Sequence, residues 1–503
     1  MVGIVGFFGE HTADSVSSMI HRMSYAVAHR GQEHLVISNP GLHQEFAVAV
    51  HSPTTLDHYV ETTTERTLIV CCWGTRSGTV KQAGEDALSL LDIGGASENE
   101  DLVDALVLCI DRTGLTMMRT PHFMSPMYYQ WAGKHIVFST ERKALWSINH
   151  RDAIELQPGQ TVRVKPDDIQ PLVTSQDRRY PNVVKSRSRR ETLTLLLNSL
   201  EKSFEPLRAA ENVGVLFSGG VDSSLAAVIA QRVCGQVTLF TACSKGSRDC
   251  ETTPPAAQAL DMKLNTTSFD ANTVWEMLPE LIYATETSRR QDIEITLPFF
   301  IAARAARNAG IPILVSGQGP DELFAGYARH VKVFEENGEE SLDSQLRSEI
   351  ADTHRTNIER DERAIAYNGL SAFFPYLGSH FIFEALAVPS RWKVSPGMTP
   401  NRKVIFRELA IKMGLPEEIA LAPKKATQYS SGSKGVLTKA VSQNVCVIPN
   451  GDKTKRSALI QIALDRIALE MGLPVQTASD VKLDIDLRAA HRSAQKIRTI
   501  NRQ

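Results

Sequence analysis

Several features that mark other classes of protein are missing from this sequence. No apolar run approaches the roughly 18 residues that a membrane-spanning helix needs. Charge of neither sign is in excess, since 55 lysines and arginines face 57 aspartates and glutamates, for a net charge of −2. That balance argues against a nucleic acid or an anionic membrane as the main partner. The segment Met1–Glu10 lacks the basic start of a secretory signal, so we expect a cytoplasmic protein.

Cysteine is also scarce. The 503 residues contain seven cysteines, an odd number, and none of them stands at position 2. Such thin usage argues against a disulfide framework and predicts reduced thiols. A hydrophobic share of 42% and a charged share of 22% are those of a folded globular protein and exclude a disordered one. At roughly 150 residues per domain, the length allows about two to four domains.

The pattern of predicted elements changes near residue 185. Up to about residue 170, short strands such as Val2–Phe8 and Thr67–Cys72 alternate with turns. The polar, basic stretch Ser175–Arg190 favours an exposed linker over a nuclear-localisation or RNA-binding patch. Beyond it, strands such as Val213–Phe217 and Ile311–Val315 alternate with helices, which predicts an α/β fold with a doubly wound parallel sheet.

Four predicted helices belong to this second part of the chain: Glu191–Phe204, Ser224–Cys234, Ala256–Asp261 and Pro298–Ala309. We divide the chain into a domain at 1–175, a linker at 176–190, a domain at 191–440 and a helical tail at 441–503. In a parallel sheet of this kind, the ligand lies beyond the carboxyl ends of the strands.

The first Gly-rich segment, Ser218–Ser224, follows a predicted strand and reads SGGVDSS. Its two glycines let the backbone approach a ligand, and unpaired N–H groups at a helix start attract an anion. It is not a GxxxxGK(S/T) loop, because it has no lysine and its spacing is shorter. The segment therefore predicts a binding site for a phosphate chain. The plainer alternative is a strand-to-helix turn in which Asp222 and the serines cap the helix.

The second Gly-rich segment, Ser316–Tyr327, reads SGQGPDELFAGY and also follows a predicted strand. Both segments should meet at the same edge of the sheet, which places Asp321 opposite Asp222. Mg²⁺ prefers a few carboxylates together with phosphate oxygens, so we predict that these two aspartates bind magnesium. In the alternative, Asp321 and Glu322 merely complement the helix dipole.

These segments together resemble the synthetase domain of the class B asparagine synthetases, a family that includes the β-lactam synthetases. SGGVDSS is by itself similar to the pyrophosphate-binding loop of the N-type ATP pyrophosphatases. The resemblance extends to about Gly435, through five further segments: Asn357–Asp361, Phe374–Leu377, Arg402–Arg407, Gly414–Ile419 and Pro423–Gly432.

The resemblance implies an ATP-dependent ligase that uses Mg²⁺. A small carboxylic acid attacks the α-phosphorus of ATP and releases pyrophosphate, and an amine then displaces AMP. A homodimer is compatible with this family. Lys403 and Lys424 match the positions that contact the phosphates, and we prefer Lys424 to Lys425 because it directly follows Pro423. The residues expected to bind ATP or pyrophosphate are Leu216, Ser218, Gly219, Gly220, Asp222, Ser223, Ser224, Gly317 and Gln318.

The N-terminal part resembles the family's glutaminase domain, through Gly3–Gly9 and Ala28–Glu33 among other segments. The resemblance implies an Ntn-type α/β/β/α sandwich whose nucleophile is a cysteine at residue 2. Here that residue is Val2, and an isopropyl group cannot attack an amide. The family's Asn-Gly-Glu string is replaced at 72–74, and its arginine near position 50 has no counterpart in Val48–Pro53. We predict that this domain has no glutaminase activity and acts as a scaffold.

The region expected to bind the acid also departs from the family. Ser371 and Phe373 stand where asparagine synthetases carry a Glu-x-Arg, and Gly378 replaces an acid. A pocket for aspartate would lose charge-assisted hydrogen bonds by these changes. We therefore assign Ser371, Phe373 and Tyr367 to a larger, more apolar acceptor pocket. The alternative is that the register of this comparison is off by a few residues.

The leading hypothesis is an amide ligase whose amine comes from a second small molecule or is ammonia. A lactam-forming synthetase ranks lower, because Gln318 stands where lactam formers carry a tyrosine base, and an amide cannot act as a base. An ammonia-dependent asparagine synthetase also stays open. A catalytically silent regulatory homologue is disfavoured by the intact SGGVDSS segment, Asp321 and Lys424. An RNA-modifying pyrophosphatase is disfavoured by the net charge.

Overall fold

The computed structural model describes residues 2–37, 45–72, 80–86, 104–166, 170–175, 180–397, 399–423, 426–445, 453–475 and 485–500. In these ranges, the first 175 residues form two six-stranded antiparallel sheets, and a five-stranded parallel sheet follows. The strands are β1 (Gly3–Gly9), β2 (Gln32–Ile37), β3 (Glu45–Ser52), β4 (His58–Thr62), β5 (Arg66–Cys71), β6 (Leu106–Asp111), β7 (Gly114–Arg119), β8 (Tyr128–Trp131), β9 (His135–Ser139), β10 (Ile154–Glu155), β11 (Gln160–Val164), β12 (Leu172–Ser175), β13 (Asn212–Leu216), β14 (Gln236–Cys243), β15 (Lys263–Ser268), β16 (Ile313–Val315) and β17 (Ser371–Phe373).

The two antiparallel sheets pack face to face. Their strand orders are β10-β8-β9-β1-β3-β2 and β12-β11-β7-β6-β5-β4. Alternation along β1 explains the layering, because successive side chains of a strand point to opposite faces. Ile4 and Phe8 lie in the core between the sheets, whereas Val5 and Phe7 pack beneath the helix Ala13–Val27 on the outer face. We call this unit, residues 2–175, the N-terminal sandwich.

The parallel sheet has the strand order β15-β14-β13-β16-β17, which confirms the predicted α/β fold with a parallel sheet. After β13 the chain adds β14 and β15 on one side, and β16 and β17 on the other. The order of strands therefore reverses beside β13, and a crevice opens at the carboxyl ends of β13 and β16. The two Gly-rich segments follow these two strands.

The helices of the described ranges surround these sheets. The α-helices with named bounds are Ala13–Val27, Arg142–Ser147, Arg189–Phe204, Val221–Val233, Arg248–Ala259, Ala271–Thr285, Arg290–Asn308, Pro320–Leu323, Ala328–Asn337, Glu339–Thr353, Glu359–Ala366, Ser379–Ala387, Val404–Lys412, Glu417–Ala420, Thr427–Ser430, Ser433–Asn444, Lys453–Glu470 and Arg488–Ile500, and residues 80–86 are also helical. The helices Lys453–Glu470 and Arg488–Ile500 pack against Ala271–Thr285, and the Ser288 hydroxyl donates to Asp465 over 2.5 Å. None of the described helices has the length and apolar composition needed to cross a membrane.

Two predicted helices begin earlier than their sequences indicated. The helix predicted at Pro298 begins at Arg290, and the one predicted at Ala256 begins at Arg248. Both contain proline in their interior, a position that proline disfavours because it lacks an N–H group for the helix to use. In the second helix, the residues at 249, 253 and 257 are buried at a spacing of four, so one face of the helix holds it against the sheet.

One disulfide corrects the expectation of reduced thiols. Cys243 ends β14, Cys250 lies in the helix Arg248–Ala259, and their Cα atoms are 5.6 Å apart in a disulfide. The count of cysteines could not reveal this pair, because its formation depends on a short turn that brings a strand end beside a helix start. The other described cysteines, at positions 71, 72, 109 and 234, are free and buried.

Candidate functional site

A cavity of about 450 Å³ lies at the carboxyl ends of the parallel strands, and we call it the central cavity. Its walls include a first loop, Ser218–Ser223, and a second loop, Ser316–Asp321. Its apolar lining includes Phe299 and Ile419, whereas Arg248 and other cations line it elsewhere. The cavity thus combines anion-binding groups with apolar surface, as a nucleotide requires.

The first loop leaves β13 and enters the helix Val221–Val233. Gly219 has a φ of +70°, a conformation that glycine adopts at low cost, and it begins the tight turn. The Ser223 hydroxyl accepts from the Ser218 backbone N–H over 3.2 Å and donates to the Gly220 carbonyl over 3.2 Å. These bonds close the loop on itself, so that the start of the helix faces the central cavity with its N–H groups.

The second loop packs directly on the first. A Cβ atom added at Gly317 would lie 3.0 Å from the Ser223 nitrogen, so a side chain here would push the two loops slightly apart. The next residue, Gln318, lines the cavity and donates its side-chain amide to Asp361 Oδ2 over 2.7 Å. Burial raises the pKa of Asp361 to about 6. Asp361, a residue outside the second loop, therefore fixes the position of the Gln318 amide.

Lys403 joins the two loops. Its Nζ lies 2.7 Å from both carboxylate oxygens of Asp222 and 2.8 Å from Oδ1 of Asp321. Only 1% of the Lys403 side chain is exposed, and burial lowers its pKa although Asp222 opposes that shift. Its φ of +57° is unusual for a residue with a side chain, and the two ion pairs offset that strain.

The predicted metal ligands, Asp222 and Asp321, face a common point. Both carboxylates contact one ammonium, and both are only partly exposed. Hard carboxylate oxygens directed at one cation fit Mg²⁺, which commonly takes one or two carboxylates and completes its shell with phosphate oxygens and water. In the described residues, no group of three or more histidine, cysteine, aspartate or glutamate side chains is arranged to hold a metal by itself.

Most of the predicted site residues meet at the central cavity. Those that line it are Leu216, Ser218, Gly219, Gly220, Asp222, Ser223, Gly317, Gln318, Asp321 and Lys403. Ser224 does not line it, because its position in the first helical turn directs it into the protein, where it is fully buried. Lys424 and Lys425 lie outside the described residues, although Pro423 lines the cavity.

The three residues assigned to an acceptor pocket do not line the central cavity. Ser371 and Phe373 belong to β17, the edge strand beyond β16, and both are buried. The Ser371 hydroxyl donates to Asp57, and the Phe373 ring meets Phe204. The Tyr367 ring lies against the His29 ring at a tilt of 37°. The comparison of short segments could not show which face of the sheet or interface each side chain would join.

Sequence reasoning missed two arginines of the cavity. Arg407 lies on the helix Val404–Lys412, one turn beyond Lys403, and its segment was recognised without a role for this residue. Arg248 also lines the cavity and donates to the Pro423 carbonyl over 2.8 Å. Nothing in the sequence distinguished Arg248, because its position depends on the turn between β14 and the following helix.

Val2 lies in the N-terminal sandwich, 5% exposed, beside a second and much smaller cavity of about 10 Å³. Asp57, Cys71 and Cys72 also line this space. Its volume is about that of one water molecule. Trp73 and Gly74, which complete the replaced string, lie outside the described residues.

The sequence matches a family model described as asparagine synthase over residues 195–336 and 334–467. A protein of Methanocaldococcus jannaschii with the provisional name asparagine synthetase (glutamine-hydrolyzing) 1 is 30% identical over 366 residues, 64% of this chain and 67% of that protein. An asparagine synthetase (glutamine-hydrolyzing) of Sandersonia aurantiaca is 28% identical over 42% of each chain. The matched region thus covers less than half of the length of this plant relative.

Likeness to solved structures is weak over the whole chain. The NMN synthetase of Francisella tularensis aligns with a TM-score of 0.27 and 14% identity, covering 59% of this chain and 100% of that one.

Proposed function

Because the chain belongs to the asparagine synthase family, we propose that it is an AMP-forming amide ligase that adenylates a small carboxylic acid and joins it to an amine. Membership of this family supports a ligase that uses ATP. The amine in our proposal does not come from glutamine hydrolysed by the same chain. The observation that carries the proposal is the Lys403 ammonium between Asp222 and Asp321, where two phosphate-type loops meet.

In this proposal the triphosphate lies along the two loops. The backbone N–H groups at the start of the helix Val221–Val233 bind phosphate oxygens, because they have no partner within the helix. The apolar part of the cavity, with Phe299 and Ile419, receives the base. Asp222 and Asp321 would hold Mg²⁺, which when bound neutralises part of the phosphate charge.

The chemistry then requires a cation beside the α-phosphate. When the carboxylate of the acid attacks that phosphorus, negative charge grows on its oxygens and on the departing pyrophosphate. The Lys403 ammonium is buried beside the two loops, where it would stabilise this charge once Mg²⁺ takes the position between the carboxylates. Asp222 favours the charged form of Lys403 and so opposes the effect of burial on its pKa. The amine then attacks the acyl carbon of the acyl-adenylate and AMP departs.

ATP–pyrophosphate exchange tests this function without knowledge of the amine. We expect the full-length protein with Mg²⁺ to exchange labelled pyrophosphate into ATP in response to at least one member of a panel of carboxylic acids. Aspartate, larger apolar acids and amino-bearing acids would separate the asparagine-forming, bulkier-acid and lactam-forming alternatives. ATP binding with no exchange across the whole panel would instead favour a silent, regulatory homologue.

The N-terminal sandwich is expected to release no ammonia from glutamine. Val2 offers no nucleophile, and the Asn-Gly-Glu string and the arginine near position 50 that the glutaminase domain of the family carries are missing from the sequence. With the acid identified by exchange, product formation should respond to ammonium or another amine but not to glutamine. Ammonia release from glutamine by the purified protein would refute the proposal that its amine comes from elsewhere.

Val2→Cys provides a sharper version of this experiment. If only the nucleophile were missing, this variant would gain hydrolysis. We expect it to stay inactive, because the replaced string at 72–74 and the missing arginine near position 50 leave the new thiol without a glutamine-binding site.

A further inference from the structure

A group of buried ionic side chains joins the N-terminal sandwich to the rest of the protein. Arg30 donates to both carboxylate oxygens of Glu362, over 2.5 and 2.9 Å, and also to Glu141. Glu141 also forms an ion pair with Lys143. None of these four side chains is more than 2% exposed. We call Arg30, Glu141, Lys143 and Glu362 the interface cluster.

One member of the interface cluster, Glu362, lies on the helix whose Asp361 binds the Gln318 amide. Glu362 lies in the helix Glu359–Ala366, directly after Asp361. Asp361 is fully buried and accepts from the Gln318 amide over 2.7 Å. Fixing Glu362 therefore fixes the backbone that carries Asp361, so a cation of the N-terminal sandwich is linked through one helix to the second loop.

An independent route reaches the same loop from another part of the N-terminal sandwich. Asp57 accepts from the Ser371 hydroxyl over 2.7 Å, and both side chains are buried. Ser371 begins β17, and Phe373 ends it. The Phe373 carbonyl accepts from the backbone N–H of Ser316, the first residue of the second loop, over 2.8 Å.

These two routes hold the second loop at both ends of Ser316–Gln318. The loop carries Asp321, whose carboxylate must stay opposite Asp222 for the two to act on one cation. Buried ion pairs are poor stabilisers, because apolar side chains of similar volume stabilise a fold equally well or better. The interface cluster instead defines the position of the helix Glu359–Ala366 relative to the N-terminal sandwich, since buried charged partners tolerate few alternative packings.

We propose that the N-terminal sandwich positions the second loop of the MgATP site, with Arg30 acting through Glu362 and Asp57 through Ser371. This inference rests on the proposed function, because it assumes that the central cavity binds MgATP. It assigns a role to a part of the chain that has no cysteine at residue 2. Glu362 and Ser371 are positioning residues here, since neither lines the cavity.

Two substitutions interrupt the two routes separately in the full-length protein. Glu362→Gln keeps the shape of the side chain but removes the charge that faces Arg30, and Ser371→Ala removes the hydroxyl that reaches Asp57. We expect each to weaken MgATP binding, measured by calorimetry, and the double variant to weaken it by about tenfold, a loss of about 1.4 kcal/mol. Thermal unfolding of each variant gives the fraction that is folded.

Asp104→Asn is the matched control. Asp104 also belongs to the N-terminal sandwich and accepts from the backbone N–H of Ser379 over 2.8 Å, but that contact ends on the helix Ser379–Ala387 rather than on the second loop. We expect it to lower the melting temperature and leave the Kd for MgATP unchanged. If Glu362→Gln, Ser371→Ala and their double variant lose stability while their folded fractions bind MgATP like the parent, the sandwich is only a structural support and the inference is wrong.

Failure of the proposed function gives different results. If the parent protein itself does not bind MgATP, the inference falls with the proposed function. If the parent binds MgATP but shows no exchange with any acid, the ligase proposal is wrong, and the Kd values of the variants still decide the inference. Since Ser371→Ala does not touch the interface cluster, a Glu362→Gln variant that fails to fold leaves the second route to decide the outcome.

Discussion

Asp321→Asn should reduce pyrophosphate release by at least about 100-fold, because it removes one of the two carboxylates that face the shared cation. Asparagine has the same shape, and Asp321 lies at the surface of the cavity, so the fold should persist. The measurement is pyrophosphate release with the acid identified by exchange, together with the melting temperature. The neutral side chain should also raise the magnesium concentration needed for half-maximal rate.

Asp261→Asn serves as the control for that experiment. Asp261 is exposed just beyond the helix Arg248–Ala259 and has a φ of +52°, which asparagine tolerates well. It should behave like the parent. Turnover by Asp321→Asn at the parental rate would remove Asp321 from the metal site and leave it the simpler role of a charge near a helix start.

Lys403→Met is expected to lose both activity and stability. Removing the ammonium leaves the Asp222 and Asp321 carboxylates facing one another without a cation. Breaking a buried ionic contact in this way typically costs about 3 kcal/mol or more, which denaturant unfolding would measure. The rate should fall at least about 100-fold, because the charge that grows during pyrophosphate departure would lack its buried cation.

The response of the melting temperature to Mg²⁺ without nucleotide should distinguish the loss of a cation between two carboxylates from a general loss of packing. In Lys403→Met, Mg²⁺ without nucleotide should raise the melting temperature more than in the parent, because the vacated position between two carboxylates suits a divalent cation. Lys412→Met, an exposed change on the same helix, should show neither effect. Equal responses to Mg²⁺ in parent and Lys403→Met would contradict a shared cation position.

The chemistry of the two loops could be predicted from their segments because short strings determine local turns. A strand followed by Gly219 and Gly220, with hydroxyls opening a helix, has few conformations available. The sheet topology then brings both loops to one edge, and Asp222 and Asp321 do converge. That much follows from local pattern and the geometry of parallel sheets.

The starts of two helices and the disulfide could not be predicted from the sequence. Pro254 and Pro298 stand inside helices, where the buried face of each helix outweighs the local cost of proline. The disulfide between Cys243 and Cys250 depends on a turn whose geometry no count of cysteines records. The helix starts were obscured by a local preference and the disulfide by a count of cysteines, whereas the packing of whole elements decided both.

The sequence by itself determined what kinds of groups are present: phosphate-type loops, two aspartates at the ends of parallel strands, and a valine where a nucleophile would be needed. Only the tertiary structure decided which of these groups touch. It placed Lys403, 181 residues beyond Asp222, between the two carboxylates, and it turned Ser371 away from the cavity toward Asp57. Contacts over such separations depend on how whole elements pack, and packing depends on buried surfaces spread along the entire chain rather than on any short string.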